Sequence, residues 1–395
     1  MKILILTFYY APDLSAGSFR ATALVNSLRA LVPPDSHIDV ISTLPNRYQS
    51  FTADATDREE YPGLSIRRIP VPRHRSGMLD QSASFIAFAR GALALVRGKE
   101  YDVVFATSGR LMTSVLGTWI ASRTHAKSYL DIRDIFADTI KDVLPGIAAK
   151  AAGSVFGLLE GIALRRADRV NLVSEGFLPY FRRRYPGQQF GLLTNGIDDE
   201  FLHAGEAGPI VSPRPAGSGT ATVLYAGNVG EGQGLHSIVP SLAKSLGDRV
   251  RFRIIGDGGR RAALETALFT AGVDNVELVP PMGRSQLIGE YRSADVLFLH
   301  LNDYPAFEKV LPSKLFEYGA MGKPVWAGVA GFAATFIRDE MPNAAVFRPC
   351  DVAGAIDALG TLALEDRPRD AFIAKYARRT VSTQLAQDVL RLGAK

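Results

Sequence analysis

At 395 residues the chain is longer than one typical hydrophobic core, and two or three domains are expected. Its 47% hydrophobic and 22% charged residues exclude a disordered or fibrous protein, and the single cysteine, Cys350, excludes an internal disulfide and fits a reducing compartment. The net charge of +5 is unevenly spread, with 19 Lys and Arg against 10 Asp and Glu between Arg67 and Arg184, which suits an anionic partner such as a phospholipid surface or serves solubility alone.

Met1 to Thr7 is a short apolar run with no small-residue cleavage site after it, so it reads as a buried first strand (Leu4 to Thr7) rather than a signal peptide. No uncharged run approaches the roughly 18 residues of a membrane span, and a cytoplasmic protein is expected. Ala21, Leu24, Val25, Leu28 and Leu31 recur as one helix face, and Ile38 to Ser42 is again a strand. Val103 to Ala106, Ser128 to Ile132, Val170 to Val173 and Gly191 to Thr194 follow as apolar runs separated by helix-length segments, the pattern of a parallel sheet wrapped by helices. Ligands of such a sheet belong on the loops after its strands. Those loops hold Phe8 to Arg20, rich in small residues including Gly17; the polar Pro45-Asn46-Arg47-Tyr48; and Asp131-Ile132-Arg133-Asp134, where Asp134 is equally a cap for the next helix.

Phe85 to Arg97 and Val143 to Leu164 are broadly apolar segments with flanking Arg and Lys, fit either for a membrane interface or for the core. His203 to Thr220 has the Gly, Pro, Ser and Ala content of a linker. This divides the chain into a first domain (1–202), a linker (203–220), a second domain (221–370) and a last helix (371–395) with Leu385, Val389 and Leu392 on one face. The second domain restarts the alternation. Val223 to Ala226 runs into Gly227-Asn228-Val229-Gly230-Glu231-Gly232-Gln233-Gly234, and Phe252 to Ile255 runs into Gly256-Asp257-Gly258-Gly259. Glycines at this density between strand and helix let backbone N–H groups converge on an anion, although neither loop has the dinucleotide spacing G-x-G-x-x-G. Val296 to Leu299 and Val325 to Ala327 are further strands.

Between the last two lies Phe307 to Pro324. Ser313, after Pro312, is a suitable N-cap, and Leu315, Tyr318 and Met321 at helical spacing predict a short helix from Lys314 to Met321, stopped by Gly322 and Pro324. Free N–H groups at its start, with the Lys314 ammonium, form a candidate diphosphate site, and Glu317 one turn further in can accept hydrogen bonds from ribose hydroxyls. An ordinary i,i+3 surface pair accounts for the same two residues.

Pro312-Ser313-Lys314-Leu315-Phe316-Glu317-Tyr318 with Gly322-Lys323-Pro324 resembles the nucleotide-sugar motif of the family-4 retaining glycosyltransferases, in the branch that builds bacterial capsule, exopolysaccharide and O-antigen. The resemblance implies an α/β fold of two Rossmann-like doubly wound domains facing across a cleft, called GT-B, with the last helix crossing back to the first domain. It implies transfer of a sugar, with retention, from a nucleotide-diphosphate donor, UDP-type among others, to a lipid-linked or saccharide acceptor such as a polyprenyl-diphosphate sugar, by a protein peripheral to the cytoplasmic leaflet and with no metal required. Residue by residue it makes Lys314, Glu317 and Asp134 catalytic. It places Gly17, Asn228, Gly230, Gln233, Gly256, Gly258, Pro280, Arg284, Glu308, Ser313 and Leu315 at the donor, and Arg20, Asn46, Arg47, Arg133 and Asp134 at the acceptor.

The chain departs from the family pattern in three places. Lys309 stands where the first motif glutamate belongs, with Glu308 adjacent; Arg133 stands where a His is usual; and Asn228 and Gln233 occupy a loop that commonly holds an Arg and a Lys, leaving Lys314 and Arg20 to supply positive charge. A non-hydrolysing sugar-nucleotide epimerase of the same plan, and a membrane-attached scaffold with a degenerate donor site, are the alternatives. Nucleic acid is not an expected partner, because the basic residues are not interleaved with an aromatic platform.

Overall fold

The computed structural model describes residues 1–13, 15–45, 55–72, 78–108, 110–135, 146–206 and 219–394. Asn46 and Arg47, most of the linker and the start of the segment from Val143 lie outside them. The chain forms two compact units, Met1–Gly196 with Arg378–Lys395, and Ile197–Ala377.

The first unit is built on β1 (Lys2–Leu6), β2 (His37–Thr43), β3 (Arg58–Tyr61), β4 (Leu64–Ile69), β5 (Val103–Thr107), β6 (Lys127–Ile132), β7 (Arg169–Leu172) and β8 (Phe190–Gly191). They lie in the order β3-β4-β2-β1-β5-β6-β7-β8, parallel throughout except for the β3–β4 hairpin. Ile3 to Leu6 are fully buried because helices cover both faces of the sheet, and the order reverses between β1 and β5. The helix Ala16–Leu31 starts earlier than its apolar face suggested, since the Ser15 side chain caps it by accepting from the Ser18 N–H at 3.2 Å. Gly17 and Arg20 are therefore helical, a correction to their expected place in a loop. The last helix, Arg378–Gly393, packs Leu385, Ala386 and Val389 among Ile3, Leu24 and Val25.

The helix Met78–Val96 buries Ser84, Phe88 and Ala92 and leaves Ile86 half exposed. In Gly146–Arg166, Ala163 and Leu164 are buried while Val155 and Leu158 are 57% and 64% exposed. Among the described residues no helix is long and apolar enough to cross a membrane.

The second unit carries β9 (Ala221–Ala226), β10 (Val250–Ile255), β11 (Val276–Val279), β12 (Val296–His300), β13 (Val325–Gly328) and β14 (Ala344–Phe347), all parallel, in the order β11-β10-β9-β12-β13-β14. This is a doubly wound Rossmann order whose switch point lies between β9 and β12. Residues 197–202, grouped above with the first domain, pack here, because Ile197 and Phe201 are fully buried among Tyr291, Leu315 and Phe316. Phe372 and Tyr376 belong here too, packed against Phe316 and Phe336, mostly edge-on or tilted.

Candidate functional site

At the switch point of the second unit, the chain leaving β9 makes a tight turn over Glu231–Gln233, and the chain beyond β12 returns as the helix Lys314–Ala320. Lys314 and Glu317 share that helix face. The Lys314 Nζ donates to Glu317 Oε2 at 3.0 Å and to the Tyr291 hydroxyl at 3.1 Å, and Tyr291 itself donates to Glu317 Oε2 at 3.0 Å. The pair is about four-fifths buried and rests on a fully buried tyrosine, so it is more than a surface i,i+3 contact. Burial, with Glu317 beside it, pushes the Tyr291 hydroxyl well above its usual range, so it stays protonated and donating.

The glycine loops meet this cluster. A methyl at Gly227 would stand 3.2 Å from the Lys314 Cε, and one at Gly232 3.0 Å from the Phe307 ring. A methyl at Gly256 would overlap the Gly227 carbonyl, and one at Gly258 would stand 2.5 Å from the Val229 carbonyl oxygen. Val229 and Arg260 complete the junction, through Val229 N–H to Asp257 O and Arg260 N–H to Val229 O, both at 2.9 Å. Gly256 and Gly258 are thus required by the packing of one loop on the other. The Gln233 side chain closes the turn by accepting from Asn228 Nδ2 at 2.9 Å and from the Gly230 N–H at 3.3 Å.

The expected helix start is corrected in two respects. Ser313 has helical dihedrals and its side chain makes no cap. The amides of Leu315 and Phe316 donate to Pro312 O and Ser313 O at 3.1 and 3.2 Å, so they are not free for an anion, and the Leu315 side chain is in the core. Arg284 is also corrected. Its guanidinium pairs with Asp198, lies 3.5 Å from Glu200 and stacks over Phe201, which commits it to holding residues 198–201. Pro280 and Glu308 are exposed, on the loop after β11 and on the turn Pro305–Lys309.

His300, at the end of β12, is an anchor that periodicity does not reveal. Its buried ring donates from Nδ1 to the Gln233 carbonyl at 2.7 Å and accepts at Nε2 from the Cys350 N–H at 3.0 Å, which fixes the neutral tautomer. Asn302 adds a second tether, donating to Glu231 O at 3.0 Å. Burial pulls the His300 pKa down to about 4. A histidine depressed in the folded state contributes stability that is complete above its unfolded pKa, about 6.5, and is lost as pH falls through the folded value. Between pH 6.5 and 4 the loss from this group is about 3 kcal/mol. Urea denaturation across that range should show His300→Gln with a correspondingly shallower pH dependence than wild type; equal slopes would contradict this assignment.

In the first unit Arg20, Arg133 and Asp134 lie around the ends of β5 and β6. Arg20 is buried, with four of its five N–H donors engaged: Nε and Nη2 donate to the two Asp131 oxygens at 2.8 Å, Nη2 to Leu193 O at 2.8 Å and Nη1 to Thr194 O at 2.5 Å. It holds the end of β6 to the segment after β8, a correction to its expected contact with phosphate or acceptor. Burial pushes the Asp131 carboxyl up, but Arg20 beside it outweighs this and holds it below the usual range. The Arg133 N–H donates to Ser108 Oγ at 2.8 Å, burial pulls its guanidinium down to about 10, and Nη1 has no hydrogen-bond partner among the described residues. Asp134 keeps an accessible surface, yet desolvation pushes its carboxyl up to about 6 against the downward pull of Arg133. No group of three or more His, Cys, Asp or Glu side chains suited to a metal occurs among the described residues.

Comparison with known proteins bears on both units. Residues 20–189 match the family described as "Glycosyl transferase 4-like domain", and residues 212–380 match "Glycosyl transferases group 1". The chain is 24% identical over 340 residues, 82% of each chain, to "Putative colanic acid biosynthesis glycosyl transferase WcaI" of Escherichia coli (strain K12). Its fold resembles that of sucrose-phosphate synthase from Thermosynechococcus elongatus (TM-score 0.74, 17% identity, 99% of each chain). It likewise resembles Anabaena HepE in complex with UDP (TM-score 0.66, 14% identity, 99% of this chain and 100% of that one). Two Rossmann-like units of the GT-B type are the fold expected from the motif, and two family matches in succession account for most of the sequence. The chain is a glycosyltransferase of the GT-B fold, its first part matching the glycosyl transferase 4-like domain and its second the glycosyl transferases of group 1.

Proposed function

We propose that this transferase takes a nucleoside-diphosphate sugar on its second unit and passes the sugar, with retention, to a lipid-linked saccharide in the synthesis of bacterial surface polysaccharide. The observation that carries the donor site is the Lys314–Glu317–Tyr291 cluster set against the glycine turn at the switch point of β9 and β12. Lys314 would turn from Glu317 toward the diphosphate, and Glu317, still held by Tyr291, would accept from the ribose hydroxyls. The WcaI name supports a surface polysaccharide, and HepE, crystallised with UDP, supports a uridine donor.

Catalysis rests on positioning and on stabilising the departing diphosphate, without a metal. Double displacement needs a carboxylate at the anomeric carbon. Asp134 is assigned to orienting the acceptor instead, with the leaving phosphate taking the acceptor proton. The exposed Val155 and Leu158, in a region of excess positive charge, support attachment to an anionic membrane surface.

A thermal-shift series with UDP, GDP, ADP, dTDP and their sugar conjugates tests the reading. One nucleotide should raise the melting temperature with concentration, and Lys314→Ala should weaken that response about tenfold in concentration. No response to any nucleotide in the folded wild type would contradict it and favour a scaffold without a working donor site.

A further inference from the structure

The order of the first sheet reverses between β1 and β5, where Leu6 pairs with Ala106, so the crevice at the carboxyl ends of these two strands is where an open α/β sheet receives a ligand. The chain leaving β1 places the Phe8 ring there, buried, with its carbonyl held by Thr43 Oγ1 at 2.7 Å from the end of β2. The chain leaving β5 places Arg110 over that ring, the guanidinium carbon 3.9 Å from the ring centre. Its Nη1 donates to Gln81 O at 3.1 Å, and Nη2 lies 3.5 Å from the Tyr9 hydroxyl.

These contacts fix the plane of the guanidinium and, among the described residues, leave most of its five N–H donors unused. They do not neutralise it: among the described residues Arg110 meets no carboxylate. The other arginines of this rim differ, since Arg20 is paired with Asp131, and Arg133 lies in the field of Asp131 and Asp134. A stacked, immobilised arginine surrenders little conformational freedom when it binds a planar or tetrahedral oxyanion, and it can offer two parallel N–H bonds.

We infer that Arg110, together with the acceptor-orienting Asp134, recognises the acceptor, and that Arg110 does so through a phosphoryl group the acceptor carries. This rests on the transferase reading above. The phosphoryl group has two sources, the diphosphate of a lipid-linked sugar or the phosphate of a free sugar phosphate.

The full-length protein, saturated with the nucleotide it binds so that the donor site is closed, is titrated calorimetrically with inorganic pyrophosphate and separately with glucose 6-phosphate. The wild type should bind one of the two, pyrophosphate if the acceptor is lipid-linked and glucose 6-phosphate if it is a free sugar phosphate. Arg110→Gln should weaken that binding tenfold or more, Arg110→Lys should restore part of it, and nucleotide affinity should be the same in all three proteins. Unchanged probe affinity in Arg110→Gln, or no binding of either probe to the wild type, would overturn the assignment. Failure of the wild type to bind any nucleotide would instead count against the transferase reading, so the two failures are distinct.

Discussion

Replacing Glu317 by Ala is expected to lower nucleotide affinity about a hundredfold and to abolish sugar transfer, because each hydrogen bond to a charged acceptor contributes about 1.5–3 kcal/mol and two ribose hydroxyls are lost together. The substitution also removes the acceptor of Tyr291 and one of the two acceptors of Lys314. The Tyr291 O–H would be left buried without an acceptor, although Lys314 still donates to its oxygen, at a cost of about 1–3 kcal/mol, so part of the effect reaches the fold. Glu317→Gln separates the two contributions. Its amide oxygen can still accept from Tyr291, so the melting temperature should stay close to wild type, while the lost negative charge still weakens binding. Calorimetric titration of nucleotide into the three proteins measures this. Affinity unchanged in Glu317→Ala would remove the ribose role.

Arg20→Ala is expected to destabilise the first unit by about 3–5 kcal/mol, the cost of leaving one partner of a buried ion pair without the other. Asp131 would remain in the core with the Asn171 amide, 2.8 Å from Oδ1, as its side-chain hydrogen-bond donor among the described residues; the Thr194 carbonyl would lose its Arg20 donor, while that of Leu193 keeps Asn171 Nδ2 at 2.9 Å. Arg20→Lys should recover little, since an ammonium cannot span both carboxylate oxygens and two carbonyls at once. The sign with pH follows from Asp131. Its carboxyl is held low in the folded state, so the pair stabilises above the ordinary carboxylate pKa and the benefit fades as pH falls through the depressed value. Urea midpoints at neutral pH give the comparison. A shift worth less than about 1 kcal/mol would mean that the guanidinium is replaceable by water, as at a surface pair.

The two parallel sheets were legible because their central strands are buried on both faces and therefore read as continuous apolar runs. Ile3 to Leu6, Val103 to Ala106 and Val296 to Phe298 are almost wholly inaccessible. The hairpin β3–β4 was not legible: Arg58-Glu59-Glu60-Tyr61 is a charged edge strand with no apolar alternation. The first turns of the helix Ala16–Leu31 read as loop because Gly17, Ser18 and Arg20 carry no apolar signal there, and the Ser15 cap is visible only in its geometry.

The candidate site divides in the same way. Lys314, Glu317 and the glycine turn stood out because a short motif holds them, and the structure does bring them together. Their supports did not stand out, because they are joined across long stretches of chain. Tyr291 reaches Glu317 across 26 residues, His300 reaches Gln233 across 67, and Arg20 reaches Asp131 across 111. Arg20 and Arg284 look alike in sequence, as cations in stretches that the family resemblance places at a ligand. Only the position of Asp131 and Asp198 decides that both are structural.

The most direct test of the donor site is a crystal structure of the protein with the nucleotide selected by the thermal series. The diphosphate is expected against the Gly227–Gln233 turn with Lys314 Nζ within hydrogen-bond distance, and both ribose hydroxyls on the Glu317 carboxylate. A nucleotide bound elsewhere, or bound here with Lys314 and Glu317 still paired to each other and the ribose turned away, would contradict it.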